Sequence, residues 1–333
     1  MSKRARCDDE AATVDEDDER TPFEREPSRY VDGTQCLRLR FVPPMKGGLA
    51  SATSFGAEYV HQVFEPEGAI ECPPAERPLR LEVAYSLASL ELCCRSIDEA
   101  GEECEGGAAA KAALFQLAFI LPEPVDGVAQ LEQAQAPSEF AGELLSTYAA
   151  PPGADSAEPC EVYTCGLGAD APAARLRFAD RLQSVFRFAI ETSEPIDSSD
   201  ERWRLLTVFQ RGASGAPHRL VGACSLFRFQ RWVAGTGPAL LVRLCQVTVL
   251  PPFRRLQHGQ QLLAAVYAYA RSLGALEVII DDPIDATTLT LTLTLALALA
   301  LALTLTLTLT LTLVGRIALQ TPLIDYVFQS WFI

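Results

Sequence analysis

The sequence predicts an α+β protein. A mixed sheet, with a parallel strand–helix–strand unit beside antiparallel strands, is preceded by a mixed α/β amino-terminal domain. Three observations carry this. "VTVLPPFRRLQHGQQLLAAVYAYA", Val247 to Ala270, reads as strand, tight loop and helix, and the strand "ALEVIIDD" follows. "RWRLLTVFQRG", "RLVGACSLFRFQRW" and "PALLVRLCQVTVL" are strand-like runs, the first two joined by a Gly/Ser-rich turn. "APAARLRFADRLQSVFRFAIETSEPID" places Leu176, Phe178, Leu182, Val185, Phe186 and Ile190 at helical spacing.

Taken in order, residues 1–28 form a charged run of low hydrophobicity, expected to be a disordered acidic tail. "CLRLRFV" alternates like a strand. "SFGAEYVHQVF" reads as a short helix or turn opening on Ser54. "PLRLEVAYSLASLELCCRS" reads as paired strands, and "AALFQLAFIL" as another strand. A looser stretch, "APPGADSAEPC", separates an amino-terminal domain over residues 29–165 from a second over residues 166–285. The helix, the long strands and the strand–helix–strand unit fill the second. Residues 286–333 are a low-complexity Thr/Leu/Ala repeat and an unassigned tail. Within it, Thr287 to Leu313 is a Thr/Leu and Ala/Leu dipeptide repeat of the kind a six-nucleotide DNA repeat produces. That reads as a simple-sequence insertion or misread intron. A membrane span, or a strand with one Leu face and one Thr face, is the other reading of so apolar a stretch.

Bulk properties narrow the partners. The chain has 333 residues, enough for two domains, and a formal net charge of -15. That balance argues against direct nucleic-acid binding and for a basic or neutral partner. Ten cysteines include no CxxC pair, and only three histidines occur, so no metal site is expected. The charged start "MSKRARCDDEAATVDEDDER" is no secretory signal, so reduced thiols in the cytosol or nucleus are expected.

Three stretches carry chemistry. The loop from Arg254 to Gln260 leads into a helix start, where unsatisfied N–H groups and a partial positive charge suit a phosphate. Read as R/Q-x-x-G-x-G/A, Arg254 fills the first position and Gly259 the last, while Gln257 stands where a middle glycine is expected. A plain strand–helix turn is the competing reading. "VIIDDP" ends a strand in two carboxylates, Asp281 and Asp282. Either could take a proton from an amine, or merely face solvent at a turn. "ETSEPIDSSDERW", Glu191 to Trp203, is an acidic loop with an aromatic at its end. It suits a basic substrate, or an ordinary charged loop.

Together "FAIETSEPIDSSDERW", "LCQVTVLPPF", "HGQQLL" and "DDP" resemble the catalytic subunit of the type B histone acetyltransferases. "SFGAEYVHQVF" and "FAGELLSTY" resemble that family's amino-terminal domain. The resemblance is strong over about Phe178 to Pro283. It implies a GNAT acyltransferase fold with a splayed coenzyme-binding strand. It also implies acetyl transfer from acetyl-CoA, without a metal, to a lysine in the amino-terminal tail of newly made histone H-four. A WD-repeat histone chaperone is the implied partner, and nucleus and cytoplasm the implied location; no membrane partner is expected.

Position by position, the resemblance implies that the backbone of Val247, Thr248 and Val249 holds the pantetheine arm. Arg254, Arg255, Leu256, Gln257, His258, Gly259 and Gln260 would hold the pyrophosphate. Asp281 stands at the general-base position, where the family has Glu, with Asp282 and Glu191 as neighbouring carboxylates. Glu65, Glu67, Trp203, Phe227, Arg228 and Phe229 fall in stretches matched to the histone-tail side. The departures are Gln257 for glycine, and Ile284 followed by the repeat where the family continues with a serine and a helical segment. They make a catalytically impaired histone- or chaperone-binding protein, or a truncated or mis-assembled gene product, the alternative.

Overall fold

A computed structural model describes residues 20–133, 139–150, 152, 157–212, 218–235 and 237–280. The dipeptide repeat and both aspartates of "VIIDDP" lie outside the described residues. Two main sheets form. In the smaller, β2 (Leu37–Val42) lies parallel to β5 (Leu81–Ser86), with β3 (Ser54–Gly56) and β6 (Leu92–Ser96) antiparallel on the outer edges. β1 (Tyr30–Asp32) and β4 (Ala69–Glu71) pair separately. The larger sheet runs β12-β11-β10-β9-β8-β7. Its strands are β7 (Glu143–Tyr148), β8 (Cys160–Gly166), β9 (Trp203–Gln210), β10 (Arg219–Val233), β11 (Gly237–Val249) and β12 (Glu277–Ile280).

Only β11 and β12 are parallel in that sheet, and the helix α3 (His258–Ser272) connects them. This is the expected strand–helix–strand unit beside antiparallel strands. Gly274 stops α3 in the left-handed region, at φ 68°. The parallel pairing covers Leu241↔Glu277 to Leu244↔Ile280, whereas β11 continues to Val249. The carboxyl half of β11 thus extends past its described pairing with β12.

Helix α2 (Ala173–Ala189) lies between the two sheets. Tyr85 of β5 and Ser184 share a buried hydroxyl hydrogen bond of 3.0 Å on one side. On the other, Phe178 stacks on Phe140 and packs near Phe209 of β9, with ring centroids 4.4 and 6.4 Å apart. Burial of Phe178, Leu182, Val185 and Phe186 follows the helical spacing read from the sequence. One apolar core therefore runs from Cys36 to Ala270 through both sheets.

Several expectations change. "AALFQLAFIL" belongs to a helix, α1 (Ala108–Ile120), not a strand. Its alanines, leucines, lysine and glutamine favour helix, and Ala109, Ala113 and Leu117 bury at intervals of one helical turn. "SFGAEYVHQVF" opens with strand β3 rather than a helix, because Leu39 and Arg40 of β2 offer it a ladder. Turns follow it. Pro22–Arg25 makes a helical turn inside the stretch expected to be disordered, closed by a reciprocal capping box between Thr21 and Glu24. The anticipated boundary at residue 165 falls within β8, which pairs with β7 before it and β9 after it. No helix among the described residues is long and apolar enough to cross a membrane.

Candidate active site

β11 organises the site. Its register on β10 passes from Leu226↔Leu244 to Ser225↔Gln246, so Cys245 is an extra residue, a β-bulge. Beside the bulge lies a cavity of about 430 Å³, lined by Ile190, Thr192, Glu194, Trp203, Phe227 and Gln246. Arg243 and Cys245 of β11 complete the wall. On the far side of the bulge, Val247 is partly exposed while Thr248 and Val249 are buried. The strand then enters the loop that starts α3.

The acidic loop is tied to β11 by one amide. Gln246 Nε2 donates to Ser193 Oγ at 3.0 Å and to the Glu194 carbonyl at 2.7 Å, and its Oε1 accepts from Ser225 Oγ at 3.0 Å. A buried amide with both ends bonded fixes the loop that carries Thr192 and Glu194 into the cavity. The aromatic side is a row. Trp203 and Phe227 have centroids 5.0 Å apart, and Phe227 and Phe229 stack at 6.3 Å. Arg202 lies over Phe227 at 4.7 Å and Arg243 over Phe229 at 5.4 Å, within cation–π range. Arg202 also pairs with Asp200 at 2.6 Å, and Arg228 donates to the Glu201 carbonyl at 3.0 Å.

At the other end of the site, Gln257 is the residue before α3 and is left-handed, at φ 61° and ψ 8°. The conformation that the glycine template demands is thus present with glutamine in it. Arg255 is left-handed too, at φ 64°. No side chain caps α3, so the first-turn N–H groups have no cap from Gln257. Arg254 is bound in place. Its Nε donates to the Val249 carbonyl at 3.0 Å, and its Nη1 pairs with the Glu58 carboxylate. Arg255 and Gln257 are exposed, and Leu256 and Gln260 partly so.

His258 and Gly259 are buried. The His258 ring points into the core, where Nδ1 lies 2.8 Å from the Tyr148 hydroxyl and Nε2 is buried without a hydrogen-bond partner. Burial lowers its pKa to about 4, so the ring is neutral near pH 7. The ring itself serves packing, which leaves His258 its backbone N–H for any ligand.

Of the expected carboxylates, Glu191 is exposed, between the cavity-lining residues Ile190 and Thr192. Its carbonyl accepts from Gln62 Nε2 at 3.0 Å. Burial, then the charges of Glu191 and Glu58, push the Tyr59 hydroxyl above the usual phenol range. Asp281 and Asp282 lie outside the described residues. Ile280, just before them, pairs with Leu244, next to Cys245 in the cavity wall. Glu65 and Glu67 are exposed on the turn that follows Gln62. Among the described residues no group of His, Cys, Asp and Glu is arranged to hold a metal ion.

The structure therefore brings Trp203 of β9 and Phe227 of β10 to a cavity walled by β11, and β11 leads on to the Arg254–Gln260 loop. Thr192 and Glu194 belong to the acidic loop singled out in the sequence, whereas sequence reasoning missed Glu58, Tyr59, Arg243, Cys245 and Gln246. Gln246 alone had a signal, an amide inside an apolar strand.

No family model matches the chain. Curated relatives do. The catalytic subunit of the type B histone acetyltransferase of Rattus norvegicus is 32% identical over 147 residues, 43% of this chain and 33% of that protein. Its Homo sapiens counterpart is 32% identical over 109 residues, 32% of this chain and 25% of that protein. The Zea mays protein is 29% identical over 107 residues, 32% of this chain and 22% of that protein. The chain thus spans a third or less of the length of these relatives. Among solved structures, an aminoglycoside acetyltransferase from an uncultured soil metagenomic sample shares 13% identity at a TM-score of 0.30, covering 49% of this chain and 95% of that one. An aminoglycoside N-acetyltransferase in complex with CoA shares 16% identity at a TM-score of 0.29, covering 50% of this chain and 97% of that one. The chain is similar in sequence to type B histone acetyltransferase catalytic subunits, and the expected GNAT fold class accords with its mixed sheet.

Proposed function

We propose that this chain, similar to the type B histone acetyltransferase catalytic subunits, is a lysine acetyltransferase whose donor and acceptor meet at β11. The observation that carries this is the continuity of one strand. Arg243, Cys245 and Gln246 wall a cavity with aromatic sides, Val247 to Val249 extend past the described pairing with β12, and the loop that follows leads to a helix start without a side-chain cap. Acetyl-CoA would supply a thioester carbonyl for an amine to attack, the acetyl group passing to nitrogen and CoA leaving as the thiol.

The chain's own residues do the rest. The first-turn N–H groups of α3 suit the donor's diphosphate, with Arg254 and Arg255 beside them. Backbone groups of Val247 to Val249 suit the amides of the pantetheine arm. Trp203 and Phe227 present ring surface to a lysine stem, and Glu194 attracts its ammonium head. Lysine is almost wholly protonated near pH 7, its ordinary pKa being about 10.4, so a base must take the proton before attack. Asp281, Asp282 and Glu191 are the carboxylates proposed for that role. The acceptor is the amino-terminal tail of newly made histone H-four, a basic peptide suited to a chain of net charge -15. A WD-repeat histone chaperone as partner, and nucleus and cytoplasm as location, belong to the same proposal.

A second reading has its own observation. Two non-glycine residues, Arg255 and Gln257, hold left-handed conformations in the donor loop. Each costs about 1–2 kcal/mol relative to glycine. A side chain where the template has glycine also crowds the backbone's approach to a diphosphate, which suits a histone- or chaperone-binding protein with weak donor affinity. Mass spectrometry of a histone H-four tail peptide, incubated with the chain and acetyl-CoA, separates the two. One added acetyl group on lysine supports the enzyme. Peptide binding with no mass change supports the binding protein.

A further inference from the structure

We propose that Glu58 is a resident competitor for Arg254, setting how tightly the loop before α3 takes a diphosphate. The inference rests on the reading of that loop as the diphosphate cradle. Arg254 is the first loop residue, and two of its nitrogens are already committed. Nε is held by the Val249 carbonyl at 3.0 Å, which fixes the plane of the guanidinium. Nη1 pairs with the Glu58 carboxylate, which reaches it from the amino-terminal part of the chain. A phosphate arriving at the loop meets a cation whose charge is already matched, with a carboxylate beside it. The ligand gains Arg254 only by displacing Glu58.

Glu58 is well anchored for such a role. Its backbone N–H and that of Tyr59 both donate to the Phe188 carbonyl, at 3.0 and 3.2 Å, in the last turn of α2. The carboxylate can swing away while its backbone stays fixed. The same segment reaches the acceptor side, where Gln62 Nε2 donates to the Glu191 carbonyl at 3.0 Å. Tyr59 lies between, its hydroxyl under the charge of both Glu191 and Glu58. Residues Glu58 to Gln62 thus contact the donor loop at one end and the backbone of Glu191, one of the proposed bases, at the other. Nothing in the local sequence of either residue points to the pair, because they lie 196 positions apart.

The size of the effect follows from exposure. The two side chains are 32% and 42% accessible, so solvent screens the pair. Its loss should change affinity about two- to fivefold. Calorimetry on the full chain tests this with CoA, and with pantetheine, which lacks the diphosphate. Glu58→Gln is expected to tighten CoA by that factor and leave pantetheine unchanged. In an Arg254→Gln background the same substitution should change nothing. Unaltered or weaker CoA binding by Glu58→Gln overturns the inference while the cradle reading stands. An equal gain without Arg254 also overturns it, because removal of charge alone would then explain the gain. Failure of both the parent and Glu58→Gln to bind CoA overturns the cradle reading and the inference together. Should Glu58→Gln not fold, Glu58→Asp carries the test, since it keeps the charge and shortens the reach. A smaller gain supports competition, and no gain overturns it.

Discussion

Gln246 donates to the carbonyl of Glu194 at 2.7 Å, joining the bulged strand of the larger sheet to the acidic loop across the cavity floor. The same amide holds Ser193 and Ser225. Gln246→Leu keeps the volume and removes all three bonds. It should cost about 1–3 kcal/mol of stability, because buried partners are left unsatisfied. Urea unfolding measures that loss. The Michaelis constant for the tail peptide should rise as the loop loosens, with CoA affinity unchanged.

Gln257 sits in a glycine conformation. Gln257→Gly is expected to raise stability by up to about 1 kcal/mol, the relief of left-handed strain outweighing the extra freedom of the unfolded glycine. The midpoint of urea unfolding should rise at constant slope. CoA should bind more tightly for a separate reason, since a residue without a Cβ lets the backbone come closer to the diphosphate.

Trp203 and Phe227 line the cavity proposed for the acceptor. Trp203→Ala removes one wall of the cavity and the aromatic pair at 5.0 Å. The internal aromatic pair counts toward stability, while the ring face offered to the lysine is worth about 1 kcal/mol, so peptide affinity should fall about fivefold. CoA binding, read by calorimetry, should not move.

His258 gives a pH dependence with a defined sign. Its folded pKa is lowered to about 4 from 6.5, because burial disfavours the charged ring. The unfolded chain therefore binds a proton near pH 5 that the folded chain does not, and stability falls as pH drops from 6.5 towards 4. The loss attributable to His258 between pH 7 and pH 5 is about 2 kcal/mol. Equilibrium unfolding of the parent and His258→Phe at both values isolates it. The variant should show a stability loss smaller by that amount.

Much of the fold was legible because burial imposes a period. Leu182, Val185 and Phe186 mark α2, and the long apolar runs mark β9 to β11. The helix α1 escaped because its run "AALFQLAFI" is apolar apart from Gln116. Phe115 and Phe119 stay exposed while Leu117 is buried, so no polar face revealed the helical period. Gln257 could be recognised as strained, since the loop template assigns that position to glycine. Arg255 could not, because nothing about an arginine signals a left-handed backbone. The cavity was invisible for another reason. Gln246 meets the acidic loop more than 50 positions away, and the Cys245 bulge exists only in the register of two strands. Contacts of that kind arise from the closed sheet and leave no local pattern.

The rate of lysine acetylation on a histone H-four tail peptide is the decisive measurement for the proposed acetyl transfer at β11. The full chain and Asp281→Asn are compared at saturating acetyl-CoA. The expected result is measurable turnover by the parent and a loss of about a hundredfold or more in the variant, the usual effect of removing a general base. Donor and peptide affinities should stay level. No turnover by the parent would contradict the enzyme reading. An unchanged rate in Asp281→Asn would remove that carboxylate from the mechanism.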